Sequence, residues 1–163
     1  MSSNRVLYVM NNNFDECLKI GKEWEDRLVP WLAKYLGNKW EVVDTSDVHR
    51  DQDGDQFPDF TLVNQTTEKV SFIDAKKRCI YRHKGHRPSF GFDKNFYTSY
   101  TNIAKKYNTK CYVGFFDPAF DSKHWYLLDL DKPEDFIFDY GNNGFGQPIC
   151  YRWYVSSLQK FKL

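Results

Sequence analysis

Hydrophobic side chains in the first part of the chain recur with a helical period. From residue 16 to residue 36 they are mostly three or four positions apart, which predicts one amphipathic helix. They are Ile20, Trp24, Leu28, Trp31, Leu32 and Tyr35. Gly37 ends the pattern. Pro30 lies inside it, and because an interior proline removes a backbone hydrogen bond, we expect a kink or two abutting helices.

The middle of the chain predicts a strand and then a β-hairpin. Residues 40–44 form a short apolar run that indicates a strand, and an aspartate-rich loop follows it. Two further apolar runs, at residues 57–63 and 70–75, are joined by the polar stretch 64–69. This order is typical of two antiparallel strands connected by a short turn.

The predicted hairpin places two aspartates opposite each other. With the turn centred between Thr66 and Thr67, paired residues have numbers that sum to 133, and Asp59 and Asp74 form such a pair. Directly opposed residues lie about 4.5–5.5 Å apart at Cα and share one face of the sheet. Side chains two apart on a strand also share a face, so Lys76 joins the two carboxylates.

The second half of the chain predicts one helix and three strands. The basic stretch 78–91 is predicted to be a loop or an extended excursion. Asp93 or Asn95 can cap the helix that follows. Its inner side carries Phe96, Tyr97, Tyr100, Ile103, Ala104 and Tyr107. Strands are predicted at residues 111–116, 125–130 and 149–155. Residues 131–147 are predicted to be irregular, and residues 156–163 to form a short tail.

In the first half of the chain, residues 5–10 are predicted to form a short edge strand before the first helix.

Composition fits one globular domain. The chain has 163 residues, of which 41% are hydrophobic and 28% charged, enough to bury a sizeable core. We expect one domain over residues 1–163, without a membrane span, because no apolar run reaches about 18 residues, and without a signal peptide. Four cysteines form no CxxC pair. They are Cys17, Cys79, Cys111 and Cys150, and we expect free thiols, a reducing compartment and a cytoplasmic protein.

A net charge of +1 conceals an uneven distribution of charge. Six aspartates lie between residues 44 and 59, whereas residues 76–87 carry six Lys or Arg and two His without any acid. An acidic segment beside a basic one suits a metal-dependent enzyme that acts on a polyanion. The candidate phosphate contacts are Lys77, Arg78, Arg82, His83, Lys84 and Arg87. The alternative is a solvated basic loop without a partner.

The opposed carboxylates carry the candidate chemistry. Like charges opposed across two strands repel each other, which is costly in a purely structural hairpin. Mg²⁺ relieves that repulsion, since it takes oxygen ligands and is often held by one or two carboxylates and water. Lys76 can then orient a water or stabilise charge on a phosphoryl oxygen. The alternative is a surface hairpin in which Lys76 merely neutralises Asp59 and Asp74.

The predicted first helix offers a third carboxylate. On a helical wheel, Glu25 falls at the rim of the apolar face, between Leu32 and Leu36. Glu23 and Asp26 project to the opposite side, where water solvates them. A carboxylate at the rim can reach the edge of the sheet that the helix covers. The alternative is an ordinary glutamate at the helix boundary.

The order of these motifs resembles that of the PD-(D/E)xK nuclease superfamily. The matching segments are Gly21-Lys22-Glu23-Trp24-Glu25 on the opening helix, Pro58-Asp59 on a strand and Asp74-Ala75-Lys76 on the next strand. The resemblance implies an α/β fold with a restriction-endonuclease-like αβββαβ core at about residues 19–116. A mixed central sheet would be flanked by helices, and residues 117–163 would add extra C-terminal strands.

The resemblance also implies a role for each residue. Asp59 and Asp74 would bind Mg²⁺, or Mn²⁺ as a substitute, with the Ala75 carbonyl as a further ligand. Glu25 would complete the metal site directly or through water, and Lys76 would position the attacking water. An unperturbed lysine has a pKa of about 10.4, so we expect Lys76 to orient water and stabilise charge rather than to act as a strict base.

The implied reaction is Mg²⁺-dependent endonucleolytic hydrolysis of DNA. Members of the superfamily include restriction enzymes, Holliday-junction resolvases, homing endonucleases and repair or phage nucleases. This small chain is similar in size to resolvases and small viral nucleases. The enzyme would be either structure-specific, cutting junctions or branched DNA, or site-specific. Such nucleases often work as homodimers. In some members the second helix adds a glutamine or lysine; here the candidate positions are Tyr97, Tyr100 and Lys105.

Two other functions stay open. A module that binds nucleic acid without cleaving it would keep the same scaffold. The segment Asp51-Gln52-Asp53-Gly54-Asp55 also spaces its acids like a calcium-binding loop, which predicts a structural Ca²⁺ module. Gln56 and Leu62, however, stand where such a loop needs glycine and a bidentate glutamate. The glycine-rich residues 141–146 match neither a P-loop nor a dinucleotide motif, and a turn or flexible loop is expected there.

Overall fold

The structure, a computed structural model, describes residues 14–77, 80–81, 85, 87–139 and 149–163, with side chains from residue 21 onward. The edge strand predicted at residues 5–10 and the glycine-rich residues 141–146 lie outside this part of the chain. The same is true of four predicted phosphate contacts, namely Arg78, Arg82, His83 and Lys84.

The described chain forms two α-helices and nine strands. The helices are α1 (Phe14–Leu36) and α2 (Lys94–Lys106). The strands are β1 (Trp40–Asp44), β2 (Phe60–Asn64), β3 (Val70–Lys77), β4 (Ser89–Asp93), β5 (Cys111–Phe116), β6 (His124–Asp129), β7 (Phe136–Asp139), β8 (Ile149–Tyr154) and β9 (Gln159–Lys162). Short 3-10 turns lie at Ser46–Val48 and Val155–Ser157.

The strands build one large mixed sheet and one small sheet. The large sheet has six strands in the order β1-β2-β3-β5-β6-β9, and only β3 and β5 run parallel within it. The small sheet is antiparallel, in the order β4-β8-β7. The predicted fold class, a mixed central sheet with flanking helices and extra C-terminal strands, is confirmed.

The hairpin of β2 and β3 has the register that the sequence predicts. The pairs are Phe60–Ile73, Thr61–Phe72, Leu62–Ser71 and Val63–Val70, whose numbers sum to 133. β2 begins later than predicted because Pro58 has no N–H and the Asp59 N–H donates to the Asp74 side chain rather than to the ladder. The Asp59 carbonyl accepts a hydrogen bond from Thr45 N at 2.8 Å, which extends the pairing with β1. Asp59 therefore lies just before β2, opposite Asp74.

The large sheet separates two apolar layers. α1 covers one face, where Trp24 and Ile73 belong to the same buried cluster. α2 and the small sheet cover the other face, which contains Phe72. Since successive side chains on a strand point to opposite faces, Asp74 and Lys76 share the face of Phe72. The candidate chemistry thus lies on the side of the sheet that α2 covers.

α1 runs through Pro30 without interruption, so the two abutting helices of the prediction do not form. Pro30 and Asp26 are both exposed. Water can therefore reach the Asp26 carbonyl, which would otherwise accept a hydrogen bond from residue 30. Trp24 fixes the helix on the sheet, because its buried indole N–H donates to the Gly114 carbonyl at 3.2 Å.

α2 begins where the sequence predicts. Asp93 is its N-cap, and the carboxylate accepts hydrogen bonds from the backbone N–H groups of Asn95 and Phe96. Ile103, predicted on the inner side, is fully buried. Tyr107 is not, since it follows the last helical residue and is 51% exposed. Its ring nevertheless packs edge-on against the buried Phe72, so the predicted inner placement holds for one side of the ring.

The prediction is also wrong at two segments that form short strands, since β7 lies within the irregular segment 131–147 and β9 within the predicted tail. β4 begins inside the predicted loop or extended excursion at residues 78–91 and continues to Asp93. β4 is buried along its whole length. A Cβ at Gly91 would lie 2.5 Å from the Tyr151 carbonyl oxygen, so glycine permits the close approach of β8. β9 pairs with the edge of β6, and Phe161 joins the apolar layer under α1.

The structure bears on two further predictions from composition. Within the described residues, neither helix has the length and apolar character needed to cross a membrane. Cys111 is a buried free thiol, as predicted. The reducing compartment and the domain boundaries stay predictions.

Candidate active site

Asp59 and Asp74 form an interlocked pair at the start of β2. The Asp59 backbone N–H donates to Asp74 Oδ1 at 3.1 Å, and the Ala75 backbone N–H donates to Asp59 Oδ2 at 3.0 Å. Each carboxylate is thereby held by the backbone of the opposite segment. The direct opposition of the two residues produces this arrangement, so it follows from the hairpin register.

Lys76 provides a positive charge beside this pair. Its Nζ lies 2.8 Å from Asp74 Oδ2, and the two side chains are 14% and 2% exposed. Asp74 Oδ2 nevertheless accepts no hydrogen bond within the described structure, because the lysine contact has the distance but not the direction of one. Asp74 is therefore a buried carboxylate whose Oδ2 lies against the Lys76 ammonium.

Burial and charge both favour a proton on Asp59. Burial raises the pKa of Asp59 most, the charge of Asp74 raises it further, and Glu25 adds a smaller increase. The hydrogen bond from the Ala75 N–H opposes these effects, because it stabilises the carboxylate. A cation bound between the two carboxylates would favour the ionised form of both.

Glu25 approaches the pair from the other face of the sheet. It lies on α1, and its carboxylate is 3.8 Å from Lys22 Nζ. Burial raises the pKa of Glu25, and among the nearby acids the charge of Asp74 raises it most. Glu25 is thus close enough to influence both aspartates electrostatically, while its nearest ion contact is with Lys22. Its role as a metal ligand stays a prediction.

α2 contributes aromatic side chains to the site. Of the three predicted positions, Tyr100 faces Asp74: burial and then the charge of Asp74 raise its pKa. Tyr97 packs instead on Tyr151 in the small sheet, with ring centroids 4.5 Å apart. Lys105 is exposed, more than a helical turn beyond Tyr100.

Phe96 also lies at the site, although it is not among the residues predicted to form it. Lys76 Nζ lies 4.0 Å from the centroid of the Phe96 ring and 5.7 Å from that of Tyr100. Phe96 and Tyr100 are four residues apart and therefore share one face of α2. Their spacing was visible in the sequence, but which strand they cover depends on how α2 docks on the sheet.

The oxygen donors at this site fit a hard divalent cation. In the part of the chain that the structure describes, no group of three or more His, Cys, Asp or Glu side chains is arranged to hold a metal by itself. Mg²⁺ requires less protein than that, because it keeps several waters and is usually bound through one or two carboxylates plus substrate phosphates. The carboxylates of Asp59 and Asp74 supply two such ligands, and the Ala75 carbonyl is a further candidate donor.

Two of the six predicted phosphate contacts are described. Lys77 ends β3 next to Lys76 and is half-buried. The guanidinium of Arg87 lies 4.3 Å from the Tyr154 ring centroid, and its Nη1 donates to Ser156 Oγ at 3.4 Å. The Ile80 N–H donates to Asp117 Oδ2 just after β5, and Tyr81 bridges to Ser89 at the start of β4. Arg87, two residues before β4, therefore lies near the carboxyl ends of β3 and β5, as Lys77 does. Contact with phosphate stays a prediction for both residues.

The predicted calcium loop holds a lysine in place of a metal ion. Lys106 Nζ lies 2.6 Å from Asp51, 2.8 Å from Asp53 and 2.7 Å from Asp55. An ammonium group therefore already lies among the three carboxylates and offsets part of their charge, and it ties the loop between β1 and β2 to the end of α2. This geometry argues against a structural Ca²⁺ module.

Comparison with solved structures finds a protein with a similar fold. The structure of Hjc from Archaeoglobus fulgidus, a Holliday junction resolvase from an archaeal hyperthermophile, matches with a TM-score of 0.55. The match covers 86% of this chain and 91% of that chain, at 13% sequence identity. No protein-family model and no curated protein sequence matches the chain. The resemblance to the restriction-endonuclease-like fold is confirmed by this shared architecture.

Proposed function

We propose that the chain is a Mg²⁺-dependent endonuclease that hydrolyses phosphodiester bonds of DNA. The observation that carries the proposal is the constellation of Asp59, Asp74 and Lys76, in which two opposed carboxylates and an ammonium meet on one face of the sheet. The fold that holds them is shared with a Holliday junction resolvase. Fold alone does not define function, so the proposal depends on both observations together.

The chain's own residues would act as follows. Asp59 and Asp74, with the Ala75 carbonyl and Glu25 directly or through water, would hold the divalent ion. The ion would supply an activated water and charge stabilisation at the scissile phosphate. Lys76, fixed 2.8 Å from Asp74, would orient the attacking water and stabilise negative charge on a phosphoryl oxygen.

The substrate we propose is branched duplex DNA, with a site-specific duplex as the alternative. The structurally similar protein is a resolvase of Holliday junctions, and cleavage of a four-way junction requires two cuts. A homodimer would supply two sites for those cuts. Lys77 and Arg87 would bind phosphates beside the site and give affinity without sequence information.

A cleavage assay with matched variants tests this function. Four-way junctions, linear duplex, plasmid and single-stranded DNA are incubated with Mg²⁺, Mn²⁺ or EDTA. We expect the wild type to cut junctions in Mg²⁺ or Mn²⁺ but not in EDTA. Asp74→Asn and Lys76→Met should each lose about 100-fold or more in rate while still binding DNA in a mobility-shift assay.

Lys69→Met is the matched control, because Lys69 precedes β3 at the opposite end from Lys76. We expect this variant to cleave like the wild type. Equal activity of wild type and Asp74→Asn would refute the proposed site. DNA binding without cleavage under every metal condition would support the non-catalytic binding module instead.

A further inference from the structure

We propose that Phe96 and Tyr100 are positioning residues that hold the Lys76 ammonium against Asp74. This inference rests on the proposed nuclease function and assigns to α2 a part in it. The two rings would act through Lys76 rather than on the substrate. Their contribution should therefore appear in the rate of cleavage and not in the affinity for DNA.

The geometry places the ammonium between a carboxylate and an aromatic surface. Lys76 Nζ is 2.8 Å from Asp74 Oδ2 and 4.0 Å from the Phe96 ring centroid. Tyr100 extends the aromatic surface, with its own centroid 5.7 Å from Nζ and 5.8 Å from that of Phe96. Tyr100 is 1% exposed and thus supports the arrangement from the core.

An aromatic support has a consequence that a polar one would not have. A lysine ammonium has three N–H donors on a flexible four-carbon stem. A ring face attracts the cation electrostatically without offering it a conventional oxygen or nitrogen acceptor. Phe96 can therefore restrict the position of Lys76 while leaving N–H donors for a water or a phosphoryl oxygen. A glutamine or glutamate at position 96 would compete for those donors.

Three variants distinguish the effect of the aromatic ring face from the effect of side-chain volume. Phe96→Leu removes the aromatic face but keeps an apolar side chain, and Phe96→Tyr restores a ring. The matched control is Phe161→Leu, because Phe161 also packs among aromatic rings but lies in the layer under α1. All three are compared with wild type by thermal melting, which reports any general loss of packing.

We expect Phe96→Leu to lower kcat for DNA cleavage by about 2- to 30-fold, the range of a cation–π contact. KM should change by less than about twofold, because the proposed role of the ring is exerted through Lys76 and not through a contact with DNA. Phe96→Tyr should recover most of the rate, and Phe161→Leu should keep it. An unchanged kcat in Phe96→Leu, or an equal loss in Phe161→Leu, would overturn the positioning role.

A second measurement does not depend on cleavage. The face of the Phe96 ring should shift the Lys76 Hε and Cε resonances upfield in the NMR spectrum of the metal-free protein, and Lys76→Met identifies the signal by its loss. The shift should vanish in Phe96→Leu and persist in Phe96→Tyr. An unshifted signal in the wild type would overturn the contact even if the protein cleaves DNA. A shifted signal in a wild type without nuclease activity would overturn the proposed function and, with it, the catalytic role of the contact.

Discussion

At the scale of single residues, the candidate site brings two carboxylates close together with only one ammonium group beside them. Asp59 and Asp74 are each anchored by a backbone N–H, and Lys76 is the cation beside them. Burial raises the pKa of Asp59 because an isolated buried charge is costly. The metal-free fold therefore binds a proton where the working site would bind a cation.

This proton makes the stability of the metal-free protein depend on pH. The pKa of Asp59 rises from 3.8 to about 8 on folding, so the folded state binds more protons than the unfolded chain between these values. The free energy of unfolding should then fall as the pH rises through that window. We expect Tm in EDTA to drop from pH 5.5 to pH 8.5, and to drop less in Asp59→Asn. An equal drop in Asp59→Asn would contradict this assignment.

Bound Mg²⁺ should offset the loss of stability that the metal-free protein undergoes as the pH rises. Metal ligands must be deprotonated to bind, and a ligand that binds only the folded state raises its stability. We expect added Mg²⁺ to raise Tm of the wild type more at pH 8.5 than at pH 5.5, with little effect on Asp74→Asn. Calorimetric titration at the two pH values measures the same coupling. A Tm increase independent of pH and of Asp74 would place the bound ion elsewhere.

Glu25 should affect metal binding more than chemistry. It lies across the sheet from the aspartates and interacts with them electrostatically. Groups that act on a metal site from outside its direct ligands typically change affinity by about 10- to 100-fold. We expect Glu25→Gln to raise the Mg²⁺ concentration for half-maximal cleavage by about tenfold, with the saturated rate nearly kept. Glu23→Gln is the control, since Glu23 is exposed on α1. A loss of rate that excess Mg²⁺ does not restore would argue for a direct catalytic role.

The sequence could predict those parts of the site that depend on local pairing. Asp59, Asp74 and Lys76 belong to one hairpin, whose register follows from the turn and the alternation of side chains. Phe96 could not be placed in the same way. Its distance from Lys76 depends on the angle and height at which α2 docks on the sheet, and those depend on packing across the whole layer. Glu25 was predicted at the rim of α1, but the face of the sheet that α1 covers is a property of the tertiary fold.

At the scale of elements, α2 connects the site to the rest of the fold. Its first turns carry Phe96 and Tyr100 beneath Lys76, and its last residue, Lys106, binds the aspartates of the loop between β1 and β2. The start of α2 is fixed by Asp93, which also ends β4. A change at this cap should therefore influence both stability and the position of the aromatic rings.

Loss of the cap should destabilise the protein measurably. Asp93 accepts hydrogen bonds from the N–H groups of Asn95 and Phe96, and Asp93→Ala would leave both donors without this partner. We expect a decrease of about 1 kcal/mol in the free energy of unfolding, measured by urea denaturation. Asp93→Asn keeps an acceptor oxygen and should retain most of the stability. If both variants are equally destabilised, the capping hydrogen bonds are not the cause.

The missed strands show which elements a single sequence conceals. In β9 and the residue after it, the run Lys160-Phe161-Lys162-Leu163 alternates charged and apolar residues, but it is short, and it becomes a strand only because β6 offers an edge. β4 has the opposite difficulty, since all five of its residues are buried and it shows no alternation. Its Gly91 was a signal for close backbone approach, although the partner strand could not be known.

At the scale of the whole molecule, the two ends of the large sheet differ in their proposed function. The site lies toward the carboxyl end of β3, where Lys77 and Arg87 flank the connecting segment. The hairpin turn lies at the other end, with Lys39 and Lys69 exposed beside it. DNA bound for cleavage would contact the first end, so lysines at the second end should not contribute to binding.

The salt dependence of DNA binding tests this polarity. Each phosphate contact adds about 0.9 to the slope of log K against log salt for duplex DNA, so the double variant Lys77→Ala/Arg87→Ala should lower the slope by about 2. The matched control Lys39→Ala/Lys69→Ala removes the same number of charges and should leave the slope unchanged. Affinities are measured by fluorescence anisotropy from about 50 to 200 mM salt, with Asp74→Asn as the background to prevent cleavage. Equal losses in the two double variants would mean that binding responds to net charge alone. A loss confined to the control would place the DNA at the hairpin end, away from Asp59 and Asp74, and would separate binding from the proposed site.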